Sequence, residues 1–299
     1  MGEFDTTLGA LCVSYALASG LFGAMSMQSV TYFHKFPKDS LWLKTLVALL
    51  WAFDTIQLVL AGNGLYFWMV TNYNNADILE DPSPWSFNVA IFLTNTIVFI
   101  VELFLARRVY ILSDHNILLT AIIVVLSCCY YGLQIAVKVK LWQFQKLSLL
   151  YRVQKMTEVS LACAAVADLT IAISLSVCLR KSRTGVKITD SIVNKLVLYA
   201  MNTGLLTSVI VLIDMICFLT MPRNFIHLGF NMISGNLYTN SLLATLNFRD
   251  VVRNNMNNTM NLNTLSLSAM PASPLNISSA NGADDNIQGT LERKFHDSL

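Results

Sequence analysis

Four acidic residues, Asp54, Glu102, Asp168 and Asp214, lie inside stretches made almost entirely of Leu, Val, Ile, Ala and Phe. A carboxyl in such a setting can carry a proton, accept hydrogen bonds from amide and hydroxyl groups, or hold internal water. At the centre of a lipid-embedded helix a charged side chain costs roughly 2.5 to 3.5 kcal/mol, so four facing lipid would cost on the order of 10 to 14. They are expected to face the protein interior. No Lys or Arg lies in the middle of these stretches, so partners are expected among Asn, Ser, Thr and Tyr. Two readings stay open: hydrogen-bonding glue between helices, or a functional polar cavity.

The neighbouring polar residues support a shared interior. His227, Asn231, Ser234, Tyr238, Ser241 and Thr245 recur at spacings of 4, 3, 4, 3 and 4, which is one continuous face of a helix, with Asn240 adjoining it. Asn88, Asn95 and Glu102 are seven apart on another segment, and Tyr199, Thr203, Thr207 and Asp214 share one side of a third, with Asn202 beside them. Gln57 follows Asp54 at one turn. Asp214 and His227 flank a short turn at Thr220 to Asn224, six residues before it and three after it. Their backbones should therefore differ in depth by only about 4.5 Å, close enough to latch a helical hairpin; the alternative is that each side chain reaches toward the interface or bonds elsewhere.

Catalytic and metal chemistry find no foothold. The chain has no Ser-His-Asp arrangement, paired-carboxylate motif or phosphate-cradling glycine loop near one membrane face. Its four histidines sit on different segments, with no CxxC or HExxH spacing, so no catalytic residue, metal or cofactor is expected. All six cysteines fall inside apolar runs, where they read as small packing residues rather than extracellular disulfides.

The elements that must position these groups follow from composition. Of 299 residues, 55% are hydrophobic and 13% charged, against roughly 25% charged in a soluble domain. Seven segments reach the roughly 20 apolar residues needed to span a bilayer. They run over residues 8–32, 43–67, 87–105, 117–137, 159–179, 196–219 and 225–246. The expected fold is an all-α integral membrane bundle of seven transmembrane helices over residues 1–249, with a disordered tail over 250–299.

Orientation rests on Lys and Arg near the segment ends. With the N-terminus outside, fourteen of the twenty basic residues lie on the inner side, and six (Lys138, Lys140, Lys146, Arg152, Lys155 and Arg223) on the outer. The tail is then cytoplasmic. The loop from Lys138 to Lys155 carries five of those six, interleaved with Leu141, Trp142, Phe144 and Tyr151, and reads as an interfacial helix. The tail's runs of Asn, Ser and Thr cannot bury a core. On the first segment Ala16, Gly20 and Ala24, with Ser19 and Gly23, allow close helix contact, read chiefly as packing inside the bundle and otherwise as a homodimer face.

Several strings carry a resemblance. They are Phe36-Pro37-Lys38-Asp39, Trp51 with Asp54-Thr55, Ala106-Arg107-Arg108-Val109, Ala165-Val166-Ala167-Asp168 and Leu179 through Gly185. The strongest are Tyr199, Asn202 through Ser208, and Leu237 through Asn247. From Leu8 to Arg249 the chain resembles an uncharacterised family of seven-helix membrane proteins of mushroom-forming fungi, a family of unknown function. Gln57 departs from it, standing where the resemblance implies His. No activity is implied.

Function is therefore read from the site alone. The first reading is a receptor-like seven-helix sensor with a polar interior that takes a small-molecule ligand. Its cytoplasmic partner would dock on the 180–195 loop and the tail, where Ser273-Pro274 offers a phosphorylation site. Against it, the third segment ends Ala106-Arg107-Arg108, the last lacks Asn-Pro-x-x-Tyr, and no Lys is present there for a retinal Schiff base. The alternatives are a proton-coupled carrier and a structural membrane scaffold. Nucleic acid is set aside, because no basic stripe interleaved with aromatics is present. If the tail is cytoplasmic, Asn257-Asn258-Thr259 and Asn276-Ile277-Ser278 should stay unglycosylated although both match the acceptor pattern, and a glycosidase-sensitive mass shift at either would overturn the orientation.

Overall fold

A computed structural model describes the chain over residues 5–73, 83–144, 153–181, 206–221 and 224–268. Within these residues the protein is all helical. The helices are α1 (Ala10–Lys35), α2 (Leu41–Tyr66), α3 (Trp85–Leu112), α4 (Ile117–Phe144), α5 (Gln154–Lys181), α6 (Leu206–Thr220) and α7 (Ile226–Ser268). Single π-helical turns precede α1 at Asp5–Gly9 and extend α2 at Phe67–Thr71. Helix is the expected answer for long apolar segments, since lipid offers backbone N–H and C=O groups no partners. Five of the helices, α1 to α5, are long and apolar enough to cross a membrane.

The breaks have local causes. Asp114 and His115 both adopt positive φ, 53° and 66°, which ends α3. Asn116 then accepts the Leu119 N–H on its side chain at 3.2 Å and starts α4. At the other end of α3, Asn88 donates to Ser83 Oγ at 2.9 Å and closes the first turn.

The architecture is organised around α7. From Asn224 to Arg249 none of its described residues is exposed, and it packs on α1, α2 and α3. Close approach is made possible by glycine: a Cβ on Gly229 would stand 2.3 Å from Ser14 Oγ on α1. Asn240 donates to the Leu21 carbonyl and Asn247 to the Gln28 carbonyl, both at 2.9 Å, while Gln28 donates to Asn240 Oδ1 at 3.1 Å. These bonds tie α7 to α1. The far end is clasped by Asp39, which receives Arg249 at 2.6 Å and the Tyr32 hydroxyl at 3.0 Å, with the guanidinium 4.6 Å from the centre of the Phe36 ring. The outward faces of α1, α2, α4 and α5 carry exposed Val13, Val59, Val125 and Ile173, the apolar surface that lipid would cover.

Four expectations change. The helix of the last segment continues through Ser268, past the expected boundary at 250, and Met256, Met260 and Leu267 recur there at helical spacing; residues 269–299 lie outside the described residues. Leu141, Trp142 and Phe144 extend α4 rather than opening a separate interfacial helix. Ala16, Ser19, Gly20, Gly23 and Ala24 do not pack inside the bundle: all are exposed, and a Cβ on Gly20 or Gly23 would meet nothing within 4 Å. Cys12, Cys128 and Cys129 are likewise exposed rather than packed.

Two glycines should respond oppositely to alanine. A Cβ on Gly64 would lie 2.9 Å from Phe87 Cβ, so Gly64→Ala forces α2 and α3 apart and should cost about 1 to 3 kcal/mol. Gly132 on α4 has nothing within 4 Å, and Gly132→Ala should stabilise by about 0.5 to 1 kcal/mol. Thermal unfolding of both variants in nanodiscs checks the pair.

Candidate functional site

The interior holds two grades of polar group. The first grade is made of amides and hydroxyls bonded across helices, although the side-chain oxygens of Asn231 and Asn236 are buried without a partner among the described residues. Asn95 on α3 accepts the Tyr130 hydroxyl from α4 and the Asn231 amide from α7, both at 3.1 Å, and donates to Gln134 on α4 at 3.5 Å. Gln134 donates onward to Ser160 on α5 at 3.1 Å, and Ser160 donates to the Tyr130 carbonyl at 3.3 Å. Helices α4 and α7 thus bond one α3 amide that is 2% exposed, and α5 joins through Gln134 and Tyr130. Gln57 on α2 joins α7 by donating to the Met232 carbonyl at 3.4 Å and accepting from Asn236 at 3.5 Å.

The second grade is carboxylic. Asp168 on α5 receives the Tyr238 hydroxyl from α7, with Thr207 of α6 beside it. Asp214 on α6 and His227 on α7 meet at 2.6 Å, and the imidazole also lies against Phe218, ring centres 4.7 Å apart. The hairpin latch suggested by their spacing is therefore formed. Asp54 and Glu102 differ: both are completely buried, and neither oxygen of either carboxyl has a hydrogen-bond partner among the described residues. Thr239 stands beside Asp54, but its hydroxyl donates to the Gly235 carbonyl at 3.1 Å. Ser127 stands beside Glu102 without closing a bond. These two carboxyls are acceptors enclosed in the interior of the bundle.

The residues read from sequence divide accordingly. Asp54, Gln57, Asn95, Glu102, Asp168, Thr207, Asp214, His227, Asn231 and Tyr238 are drawn inward together. Asn88 is not, because it closes the first turn of α3; Ser234 is buried but returns its hydroxyl to the Phe230 carbonyl at 2.8 Å. Asn240 serves the α1 interface, and Ser241 lines a cavity at the far end of the bundle. Tyr199, Asn202 and Thr203 lie outside the described residues. Sequence reading missed Tyr130, Gln134, Ser160 and Asn236. Ser127, Tyr130 and Gln134 follow the 3, 4 spacing of a polar helix face, the signal that could have found them. It also missed Arg108, which is 2% exposed within α3.

Removing the Asn95 amide orphans a hydroxyl and an amide at once. Asn95→Ala should cost about 2 to 4 kcal/mol, since each buried polar group left unpaired costs about 1 to 3. The companion Asn95→Ala/Tyr130→Phe variant should recover part of that loss; a strictly additive pair in thermal or urea unfolding would remove Asn95 from the centre of the network.

Comparison with known proteins adds a partial family match but no activity. No curated protein and no solved structure matches the chain. The profile of a family of unknown function, DUF6534, matches residues 164–251, a stretch that takes in Asp168, Asp214, His227 and the enclosed part of α7. The likeness to DUF6534 is confined to residues 164–251, and the interior of the bundle is built around the helix that this stretch contributes.

Proposed function

We propose that the chain is an integral membrane protein of seven transmembrane helices, N-terminus outside and tail cytoplasmic, acting as a receptor-like sensor through its polar interior. The five long apolar helices, their lipid-compatible outer faces and the distribution of Lys and Arg support the topology. Within that topology α6 and α7 complete the seven. The observation that carries the sensor reading is the partnerless burial of Asp54 and Glu102. A scaffold needs only neutral glue, and the hydrogen bonds around Asn95 already join four helices without a carboxyl. An unsatisfied buried acceptor costs about 1 to 3 kcal/mol, and such a cost is characteristic of groups kept for an event rather than for packing.

The event is the arrival of a proton or a small ligand donor at these carboxyls. Whichever bundle arrangement receives it better gains population. Because Asp54 and Glu102 flank α7 from α2 and α3, the change is read as movement of α7. That movement reaches the Arg249–Asp39 clasp and, beyond it, the 180–195 loop and the tail, where a cytoplasmic partner would dock. The exposed small-residue face of α1 offers a surface for a second copy.

A proton-coupled carrier is the second reading, favoured by the succession of polar groups from Asp214 and His227 at one end of the bundle to Arg108 near the other. The two readings separate in nanodiscs and sealed liposomes. Spin labels at His34 on α1 and Lys181 on α5 should show a distance distribution that shifts as pH is titrated, and the Asp54→Asn/Glu102→Gln variant should hold a single distribution. A distribution indifferent both to pH and to the double substitution would overturn the sensor. Proton uptake into liposomes that depends on Glu102 would establish the carrier in its place. The single substitution Glu102→Gln should leave Tm unchanged or raise it by about 2 to 4 °C, whereas a scaffold role requires it to fall.

A further inference from the structure

Arg108 is a buried cation without a counterion among the described residues. Its side chain lies within α3, is 2% exposed, and forms no ion pair among the described residues; its Nε has no hydrogen-bond partner there. Arg249 stands close enough to add positive potential, and its own carboxylate, Asp39, is engaged at 2.6 Å. A guanidinium keeps its charge in any protein environment, and a buried charge is stable only when paired. No carboxylate among the described residues answers it.

The place for one is present. Arg108 lines a cavity of about 30 Å³ between α3, α5, α6 and α7, which is room for about two waters or one chloride-sized ion. Val101, Leu105, Ile171 and Leu175 form apolar walls, while Ser241 contributes a hydroxyl donor. Neither Glu102 nor Asp168 lines the cavity, so no carboxylate of the described lining opposes an anion. Two waters could satisfy the guanidinium hydrogens but would leave its charge uncompensated in a low-dielectric surround, where charge pairing is worth most.

We infer that Arg108 and Ser241 form a binding site for one small inorganic anion, of the size of chloride, that ties α3 to α7. The site is independent of the sensor reading, since it uses neither Asp54 nor Glu102.

The test uses the full chain in nanodiscs of uncharged lipid, in gluconate buffer at constant ionic strength, with chloride titrated in. Tm should rise saturably, by roughly 2 to 5 °C for each tenfold increase of chloride above its dissociation constant, because an ion that binds only the folded state stabilises it by mass action. Arg108→Gln should abolish the rise. Should that variant not fold, Ser241→Leu, which fills the cavity and keeps the cation, should diminish it several-fold. In the unmodified protein, bromide should give an anomalous scattering peak within the cavity. A Tm indifferent to chloride, a chloride response that survives both substitutions, or bromide bound only elsewhere would each overturn the site.

Discussion

The interior face of α7 is the constraint on which the rest of the structure depends. A helix carrying His227, Asn231, Asn236, Tyr238, Thr239 and Asn240 cannot meet lipid, where each unsatisfied polar group costs several kcal/mol. It must be enclosed, and the other helices are arranged to enclose it. Glycines bring α1 close, Asn95 and Gln57 reach it from α3 and α2, and Asp168 and Asp214 take its Tyr and His from α5 and α6. Without those partners α7 would carry the largest polar burden in the bundle at full cost.

That enclosure separates holding from function. The amide and hydroxyl network around Asn95 is neutral and shared by four helices, so it can fix the relative positions of α3, α4, α5 and α7 whatever happens elsewhere. Asp54, Glu102 and Arg108 are charge-bearing groups embedded in the same frame without partners among the described residues. A rigid neutral frame around unsatisfied ionisable groups is a way to keep a costly arrangement in place, because the cost is offset by contacts that do not involve the costly groups.

Much of this was legible in the sequence, for a physical reason. A carboxyl in an apolar run stands out against its neighbours, so Asp54, Glu102, Asp168 and Asp214 could be picked out singly, and helical rise alone brought Asp214 to the level of His227. Periodicity identifies a face but not what each residue on it does. Ser234 sits on the polar stripe of α7 yet bonds its own backbone, and Asn88 shares a seven-residue spacing with Asn95 yet closes a helix end. Arg108 was hidden by Arg107: adjacent residues point about 100° apart on a helix, so one ends exposed near Trp42 and the other inward, a difference that counting charge near segment ends averages away. The small residues of α1 are compatible with any close contact, and their spacing alone cannot say whether the neighbour lies inside or outside the bundle.

The central claim is that α7 lies enclosed in the bundle while the apolar faces of α1, α2, α4 and α5 meet lipid. Photolabelling with a lipid-borne diazirine, followed by mass spectrometry of the unmodified protein, tests it directly. The account predicts labels near Val13 and Leu17, Val59, Val125 and Ile173, and none between Asn231 and Leu246. Labels concentrated on the Asn236 to Thr239 turn of α7, or absent from those outer faces, would contradict it.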